Sequence, residues 1–313
     1  MITVIGANTI DYFSYSKRLP KPGETMIGDE MMIGPGGKGA NQAAAAAKLG
    51  APVCWLSKVG ERDRYKDMVL DGVKAVGIDT SAVEEAKDVF CGAGYVMINS
   101  ETGQNCIIIL HGANAEITPV YIDAHKDKIL AAKICMAEFQ IPVKTAQYAL
   151  TMAKKNGALT ICNPAPAAPI EDDFYSVIDV ITPNEVEARD ISGIEVTDEE
   201  SAAKAAGFFH KKGIKNVVIT LGSRGAFVST PERSEMIPSY LVKAIDTSGA
   251  GDCFNGALAY ALHEGKDLFS AAKFANAAAA ISVCRKGTMD SMPTLEDVRQ
   301  FLYNKEKETL DER

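Results

Sequence analysis

Residues 246–252 read Asp-Thr-Ser-Gly-Ala-Gly-Asp and run directly into an apolar helical segment, residues 253–262. Gly249 and Gly251 allow the backbone to turn tightly, so free N–H groups can converge at the positive end of a helix. Such a turn predicts an anion-binding site. A carboxylate beside a bound anion is useful mainly as a base, so Asp252 indicates a phosphoryl-transfer centre. A glycine loop in which Asp252 is only a helix N-cap is the alternative.

Composition restricts the class of protein. The chain has 313 residues, of which 47% are hydrophobic, enough for one large α/β domain or for such a domain with a small accessory unit. The net charge of -8 argues against nucleic acid or an anionic membrane as a partner.

The cysteines and the first residues bear on location. The seven cysteines are scattered without CxxC spacing, which is typical of reduced thiols. Met1 leads at once into strand-like residues 2–5, with no signal-peptide pattern, and no apolar stretch approaches ~18 residues. We therefore expect a cytoplasmic protein that does not enter a membrane.

Short apolar runs alternate with amphipathic helical segments along the chain. This alternation predicts a doubly wound α/β fold, in which a mostly parallel sheet carries helices on both faces. The predicted strands are residues 2–7, 52–59, 133–139, 158–162, 177–182 and 216–221. The predicted helices are residues 40–49, 63–76, 142–155, 198–212, 252–263 and 267–283.

Two stretches interrupt the alternation, residues 12–33 and 89–110. The first is rich in Tyr, Met, Pro and Gly, and the second predicts two strands around a turn at residues 100–103. We expect the two stretches to pair as a small β-sheet lid over the mouth of the main domain. The main α/β domain then comprises residues 1–11, 34–88 and 111–313.

The predicted lid would leave sheet edges and apolar side chains exposed. Symmetric pairing of two lids would cover them, so we expect a homodimer. The apolar residues concerned are Tyr95, Val96, Met97, Ile107, Ile108 and Ile109.

A second glycine motif covers residues 34–42, Gly-Pro-Gly-Gly-Lys-Gly-Ala-Asn-Gln. Its GxGxxG spacing occurs in dinucleotide-binding folds, where it joins the first long strand of a βαβ unit to its helix. The run that precedes it here, residues 31–33, is too short for such a strand. The motif favours a small polar ligand near the backbone, with Lys38 and Asn41 as donors. A purely structural entry into a helix remains open.

Three further polar segments occupy residues 184–187, 220–225 and 285–288. The first two follow predicted strands, and the carboxyl ends of parallel strands bind ligands in open α/β sheets. Taken alone, each segment could equally be a capped helical turn or a loop. The sequence contains neither the P-loop pattern G-x-x-x-x-G-K-[ST] nor the H-R-D and D-F-G motifs, so it is not a P-loop enzyme or a protein kinase.

In their order along the chain, these segments resemble the signatures of the ribokinase-like carbohydrate kinases. The two main signatures are Gly-Gly-Lys-Gly-Ala-Asn-Gln at 36–42 and Asp-Thr-x-x-Ala-Gly-Asp-x-Phe-Asn-Gly at 246–256. Four shorter ones are Asn-Pro-Ala-Pro-Ala at 163–167, Thr-Pro-Asn-Glu at 182–185, Thr-Leu-Gly-Ser-Arg-Gly at 220–225 and Arg-Lys-Gly at 285–287. The resemblance extends over essentially the whole chain. It implies transfer of the γ-phosphate of ATP to a sugar hydroxyl, with the 5-hydroxyl of ribose as the expected acceptor.

The resemblance also implies roles for individual residues. Asp252 matches the catalytic base, and the anion hole matches the amides of Gly249, Ala250 and Gly251. The residues that match sugar contacts, besides Asp252, are Thr9, Asp11, Gly37, Lys38, Gly39, Asn41 and Gln140. The residues that match positions around the nucleotide are Asn184, Glu187, Thr220, Leu221, Gly222, Ser223, Arg224, Gly225, Gly251 and Asn276.

Two metal ions are implied by the same resemblance. Glu187 matches a carboxylate that acts on Mg²⁺ through water. A loop that holds a monovalent cation, with K⁺ as the expected ion, binds it largely through backbone carbonyls. The residues that match this loop are Asp246, Ser248, Ser282, Arg285, Gly287 and Ser291.

The sequence departs from the family pattern at three positions. The family usually has Asn where Thr9 stands and Glu where Gln140 stands, and it often has His where Asn276 stands. The first two changes weaken the expected grip on the sugar ring, so 2-deoxyribose, a ketohexose or a nucleoside remains an alternative acceptor. A catalytically silent sugar sensor is a further alternative, but it would have no reason to retain Asp252 beside an intact glycine turn.

Overall fold

The computed structural model describes residues 1–102 and 104–311. Its strands are β1 (Ile2–Ile5), β2 (Thr9–Ser16), β3 (Glu30–Gly36), β4 (Val53–Leu56), β5 (Lys58–Gly60), β6 (Glu84–Ala86), β7 (Gly92–Asn99), β8 (Asn105–Leu110), β9 (Ile134–Glu138), β10 (Leu159–Asn163), β11 (Val180–Ile181), β12 (Asn216–Thr220), β13 (Ala226–Ser229) and β14 (Ser234–Ile237). Its α-helices are α1 (Lys38–Lys48), α2 (Lys66–Ala75), α3 (Pro119–Ala124), α4 (Lys126–Leu130), α5 (Val143–Lys155), α6 (Asp172–Tyr175), α7 (Glu185–Ser192), α8 (Glu199–Lys211), α9 (Ala250–His263), α10 (Leu268–Ser282) and α11 (Leu295–Asp311).

The central sheet has eight strands in the order β14-β13-β12-β11-β10-β9-β1-β4. The strands from β12 to β4 are mutually parallel, whereas β13 and β14 continue the sheet in the antiparallel sense. The predicted doubly wound α/β fold is therefore confirmed. The antiparallel pair is an addition that the alternating pattern did not predict, because no α-helix separates β12, β13 and β14 in the described chain.

Alternate residues of the parallel strands face two separate cores. Ile2 and Val4 of β1 pack in a cluster with side chains of α1, α2, α9 and α10. Ile5 packs in the other cluster, with side chains of α5 and α8. Every residue of β1 is buried, as expected for a strand covered on both faces. This two-sided burial is why the strands appear in the sequence as continuous apolar runs.

Each predicted long helix overlaps an observed one, although α1 and α9 begin two residues earlier than predicted, and the main omission is α11. Its apolar residues are separated by many charges, so its periodicity is weak in the sequence. Val298 of this helix is nevertheless fully buried against the α9–α10 side of the sheet. Among the described residues, no helix combines the length and apolar character needed to cross a membrane.

A separate four-stranded sheet has the order β3-β2-β7-β8, which confirms the predicted small sheet. Strand β2 pairs with β3 in the antiparallel sense and with β7 in the parallel sense. The sheet begins at Thr9 and its β3 strand ends at Gly36, so it reaches beyond the stretch 12–33. The division into an α/β domain and a lid stays a prediction. Of the predicted turn at residues 100–103, Gly103 lies outside the described residues.

The two faces of this lid sheet differ. Phe13, Tyr15, Val96 and Ile98 form a buried apolar cluster on one face. The sequence prediction that Val96 is exposed was therefore wrong, because alternation along β7 places Val96 opposite to Tyr95. On the other face Met31, Tyr95, Ile108 and Leu110 are exposed to solvent. Ile107 is also exposed, but it pairs with Val96 and lies at the margin of the clustered face.

Helices α1 and α9 pack against each other closely. Gly256 makes this approach possible, since a Cβ atom there would lie 2.6 Å from the Cβ atom of Ala45. The first turn of α9 is consequently brought beside the first turn of α1.

Candidate active site

The site is built where these two helices begin. Gly37 is the N-cap of α1 with a φ of 96°, and Gly249 is the N-cap of α9 with a φ of 74°. Both angles favour glycine, and a Cβ atom on Gly37 would also lie 2.5 Å from the Cα atom of Asn8. Two positive helix ends therefore face one region, which suits an anionic ligand.

Asp252 lies in the first turn of α9 and is 6% exposed. One of its carboxylate oxygens accepts a hydrogen bond of 3.0 Å from the side-chain amide of Asn41. The other accepts one of 3.2 Å from Gln42. Sequence reasoning identified Asn41 but missed Gln42, although Gln42 is the last residue of the quoted motif at 36–42.

Asp11 is buried near the start of β2, an inner strand of the four-stranded sheet. The Thr9 hydroxyl donates a 2.6 Å hydrogen bond to its Oδ1. Gly36 and Gly94 flank the carboxyl group so closely that a Cβ atom on either would overlap it. Burial raises the pKa of Asp11 to about 6, and the nearby Asp252 adds to this, whereas Thr9 and Lys38 oppose it.

Glu138 is a second buried acid, which sequence reasoning did not assign. Its carboxylate accepts two backbone hydrogen bonds of 2.5 Å, from the N–H groups of Ala7 and Gln140. Burial raises the pKa of Glu138 to about 7, against the effect of these two donors. Glu138 thus ties the end of β1 to the segment that carries Gln140.

Lys38 and Gln140 meet at the start of α1. The backbone N–H of Lys38 donates a 2.9 Å hydrogen bond to the side-chain oxygen of Gln140. Burial alone would lower the pKa of Lys38, but the surrounding carboxylates of Asp252, Glu187, Glu138 and Asp11 raise it above its ordinary value. The Lys38 ammonium is therefore the positive centre of an acidic cluster.

Gly39 permits α1 to lie against the main sheet. A Cβ atom on Gly39 would lie 2.5 Å from the Cα atom of Gly6. Gly39 therefore shapes the site through packing.

A cavity of about 340 Å³ lies on the other side of the glycine turn. Of the residues predicted around a nucleotide or in the anion hole, it is lined by Thr220, Gly222, Ser223, Gly225, Ala250, Gly251 and Asn276. Sequence reasoning missed the segment that closes the cavity, which contributes Ser239, Tyr240, Leu241, Val242 and Ala244. This segment has no regular secondary structure and hence no periodic signal.

Other predicted nucleotide residues lie elsewhere. Leu221 is buried in the core below the cavity, and the guanidinium group of Arg224 turns away to the Thr197 carbonyl and the Glu185 carboxylate. Asn276 lines the cavity, but its side-chain N–H groups donate hydrogen bonds to the carbonyls of Ile237 and Pro238. It thereby anchors the segment that closes the cavity.

Asn184 and Glu187 form a capping box at the start of α7. The Glu187 carboxylate accepts a hydrogen bond from the backbone N–H of Asn184, and Asn184 caps Glu187 in return, each at 2.8 Å. Burial raises the pKa of Glu187, while Lys38 and the Asn184 N–H oppose the shift. The Glu187 carboxylate therefore caps α7, as the alternative interpretation of this segment expects, and it also lies near Lys38.

The predicted cation loop is partly assembled. The Asp246 carboxylate accepts hydrogen bonds from the backbone N–H groups of Ser248 at 2.9 Å and Gly287 at 3.0 Å. The Ser248 hydroxyl is buried and has no hydrogen-bond partner among the described residues. By contrast, the Arg285 side chain forms an ion pair with Asp297, so only the backbone of Arg285 is available to the loop.

The remaining two serines of the loop are buried and donate locally. The hydroxyl of Ser282 donates to the Ala279 carbonyl at 2.9 Å, and that of Ser291 donates to the Thr288 carbonyl at 2.7 Å. A loop rich in carbonyls with one unsatisfied buried hydroxyl is a donor set that suits a weakly hydrated monovalent cation.

Comparisons with known proteins give a consistent result. The model of the "pfkB family carbohydrate kinase" matches residues 1–295. The ribokinase of Haemophilus influenzae is 40% identical over 301 residues, which cover 96% of this chain and 98% of that protein. The deoxyribokinase of Salmonella typhi is 35% identical over 302 residues, with 96% and 98% covered. The structure of Arabidopsis thaliana ribokinase complexed with ribose and ATP has a TM-score of 0.88 at 31% identity, covering 96% of this chain and 98% of that one.

The raised pKa of Asp11 makes a prediction about stability. The contribution of Asp11 to the free energy of unfolding is fully present at low pH, where its carboxyl group is protonated in both the folded and the unfolded protein. This contribution is lost as pH rises through about 6. Between about pH 4.5 and 7.5, the unfolding free energy of the parent should therefore fall by about 2 kcal/mol more than that of Asp11→Asn. Urea unfolding without ligands measures this, with Asp71→Asn on the exposed face of α2 as the control. Equal pH responses of parent and Asp11→Asn would contradict the assignment.

Proposed function

The chain belongs to the pfkB family of carbohydrate kinases, and on that premise we propose that it transfers the γ-phosphoryl group of ATP to the 5-hydroxyl of ribose. The ribokinase and deoxyribokinase relatives, matched over almost their whole length, support a pentose as the acceptor. The free thiols of all seven cysteines support work in the cytoplasm.

The observation that carries the proposal is the position of Asp252. On one side lies the cavity, whose wall includes Ala250 and Gly251 of the same turn. On the other side lie Asp11 and Lys38, and the nearby Asp252 carboxylate helps to raise the pKa of each of them. A nucleotide in the cavity and a sugar at Asp11 would therefore meet at this carboxylate.

The chemistry needs few participating groups. Phosphoryl transfer depends on positioning and on stabilising charge, and the amides of Gly249, Ala250 and Gly251 supply donors for the charge that develops. Asp252 accepts the proton of the attacking hydroxyl. Because a sugar hydroxyl is a weak acid, this transfer occurs late, once the phosphoryl group has begun to move, and it benefits from a dry site. The lid sheet, which carries Asp11, supplies that shielding.

The residues present fit a magnesium ion that arrives with the nucleotide. Mg²⁺ is usually held by one or two carboxylates, water and substrate phosphates. The described residues contain no group of three or more His, Cys, Asp or Glu side chains suited to a metal ion. Glu187 is a buried acid whose pKa is affected by Lys38 and Asp252, so it lies close to the site. When bound, the ion neutralises charge on the phosphates, and Glu187 would hold it through water.

A monovalent cation, K⁺ by preference, would bind behind the glycine turn. Its support is the unsatisfied Ser248 hydroxyl and the cross-link that Asp246 makes between residues 248 and 287. A cation there would order the turn from behind and so aim its amides at the transferred group.

A homodimer through the lid is supported by the exposed apolar face of the lid sheet. Ile107 and Ile108 of β8 are 50% and 60% exposed, at a sheet edge that carries no further strand. Pairing with a second copy would remove both the edge and the apolar face from water.

Asp252→Asn tests the base directly. The substitution keeps the shape of the side chain and removes its basicity, so kcat should fall by roughly 10²-fold or more with little change in KM. Steady-state kinetics with a coupled ADP assay measures both. Retention of more than about half of the parent kcat would rule out this role for Asp252.

The cation proposal predicts dependence on ion type. Activity in potassium buffer should exceed that in sodium or choline buffer, because a carbonyl cage sized for K⁺ fits the smaller and more strongly hydrated Na⁺ poorly. Rates after exhaustive ion exchange, at constant ionic strength, provide the measurement. The proposal fails if all three buffers give the same rate.

The dimer proposal predicts the assembly state. Light scattering at micromolar concentration should give a dimer for the parent and a monomer for Ile108→Lys, which places a charge on the exposed lid face. Val120→Lys on α3 is the matched control, since Val120 is 78% exposed and lies outside the lid. A monomeric parent, or a dimer that survives Ile108→Lys, would count against the lid interface.

The choice of sugar follows from the contacts of Thr9 and Gln140. Thr9 gives its one hydroxyl hydrogen to Asp11, and Gln140 accepts from Lys38 with a neutral oxygen. Hydrogen bonds to charged partners are worth about 1.5–3 kcal/mol against about 1 for neutral pairs, so discrimination among pentoses should be roughly tenfold weaker than with Asn and Glu at these positions. Ribose should remain the best simple sugar, with 2-deoxyribose a close competitor.

The deciding experiment measures kcat/KM for ribose, 2-deoxyribose, arabinose, xylulose, fructose and adenosine. The double variant Thr9→Asn with Gln140→Glu should raise the preference for ribose over 2-deoxyribose by about tenfold. A hexose or nucleoside that beats ribose by more than about tenfold would overturn ribose as the acceptor, while leaving Asp252 as the base of a kinase.

A further inference from the structure

A buried ring of hydrogen bonds connects the Asp252 carboxylate to the backbone of the preceding residue. The side-chain amide of Gln42 donates both to Asp252 at 3.2 Å and to the Asn163 oxygen at 3.0 Å. The Asn163 amide donates to the Thr182 carbonyl at 2.8 Å. The Thr182 hydroxyl donates to Asn255 at 2.5 Å, and the Asn255 amide donates to the Gly251 carbonyl at 2.8 Å.

The ring joins four elements that are distant in sequence. Gln42 lies on α1, Asn163 ends β10, Thr182 follows β11, and Asn255 lies in the first turns of α9. All four side chains are at most 5% exposed. The ring therefore fixes the glycine turn and its carboxylate relative to the ends of two strands and to α1.

The direction of every bond in the ring is determined. Both N–H hydrogens of Gln42 are used, and Asn163 and Asn255 each accept with their oxygen and donate with their nitrogen. Gln42 nevertheless leaves its own oxygen buried without a partner. Burial of four polar side chains, one of them with an unsatisfied oxygen, costs free energy of folding. Apolar side chains would fill the same space without this cost, so stability alone does not account for the arrangement.

We propose that Gln42, Asn163, Thr182 and Asn255 are positioning residues that hold the Asp252 carboxylate and the Gly251 amide plane in one geometry for proton removal. The inference rests on the proposed kinase function. Proton transfer requires the base within hydrogen-bond reach of the attacking hydroxyl, and a displacement of about 1 Å can cost 10²-fold in rate. None of the four residues lines the nucleotide cavity, so their effect on Asp252 is indirect.

The sharpest test uses Thr182, where two substitutions separate chemistry from packing. Thr182→Val preserves shape and removes the hydroxyl that donates to Asn255, so kcat should fall about tenfold while KM for the sugar changes less than about threefold. Thr182→Ser restores the hydroxyl and should bring kcat back to within about threefold of the parent. Calorimetric binding of the sugar without nucleotide should be the same for both.

Thr160→Val is the matched control for stability. Thr160 lies on the same strand as Asn163, is fully buried, and donates to the Val177 carbonyl outside the site. The Thr160→Val variant should have a lower midpoint of thermal unfolding, as Thr182→Val does, but its kcat should equal that of the parent. Equal losses of kcat in the two variants, or a Thr182→Val enzyme with parent kcat, would show that the ring serves stability only.

A double-mutant cycle tests whether the ring acts as a unit. Gln42→Leu and Asn163→Leu should each lower kcat by roughly 10²-fold, and the double variant should be little worse than either, because each already breaks the ring. Multiplicative losses would overturn the proposal. All rates are compared with the parent on its fastest sugar, so a wrong choice of acceptor leaves the test intact, whereas a parent without kinase activity on any sugar refutes the proposed function itself.

Discussion

The site depends on the contact between the first turns of α1 and α9. Gly256 lets the two helices approach, and the approach places Asn41 and Gln42 against the Asp252 carboxylate. Each helix begins at a glycine with positive φ, so two sets of free N–H groups point toward the same region. A larger residue at position 256 would separate the helices and move the Asp252 carboxylate away from the amides of Asn41 and Gln42.

The charges around this contact balance one another. Asp11, Glu138, Glu187 and Asp252 would repel each other in a buried space, and Lys38 is the cation that all four influence. The pKa values of Asp11 and Glu138 rise to about 6 and 7 because burial outweighs that attraction. Asp11 and Glu138 therefore give up their protons at a higher pH than exposed carboxyl groups do. A bound nucleotide with its cations would change these pKa values further.

The sequence predicts the strands and the helix starts better than the irregular segment that closes the cavity. Two-sided burial makes strands such as β1 visible as apolar runs, and positive φ makes Gly37 and Gly249 necessary, so both helix starts are predictable. The segment 239–244 closes the cavity without any periodic pattern, and it is held by Asn276 from a distant helix. Such long-range side-chain contacts leave no local signal, which is also why Gln42 and Glu138 were missed.

The four-stranded sheet is joined directly to the loop that is predicted to hold a cation, so segments from both ends of the chain meet at one place. Lys286 forms an ion pair with Glu30 at the start of β3, and the Thr288 hydroxyl donates to the Pro35 carbonyl near its end. An exposed ion pair contributes little alone, but the Thr288 bond is largely buried and connects the loop to the strand that leads into α1. The backbone N–H of Gly287, which lies between these two residues, donates a hydrogen bond to the Asp246 carboxylate. The turn that carries Asp252 and the strand that precedes Lys38 are therefore supported by the same loop, so displacement of that loop would disturb Asp252 and Lys38 together.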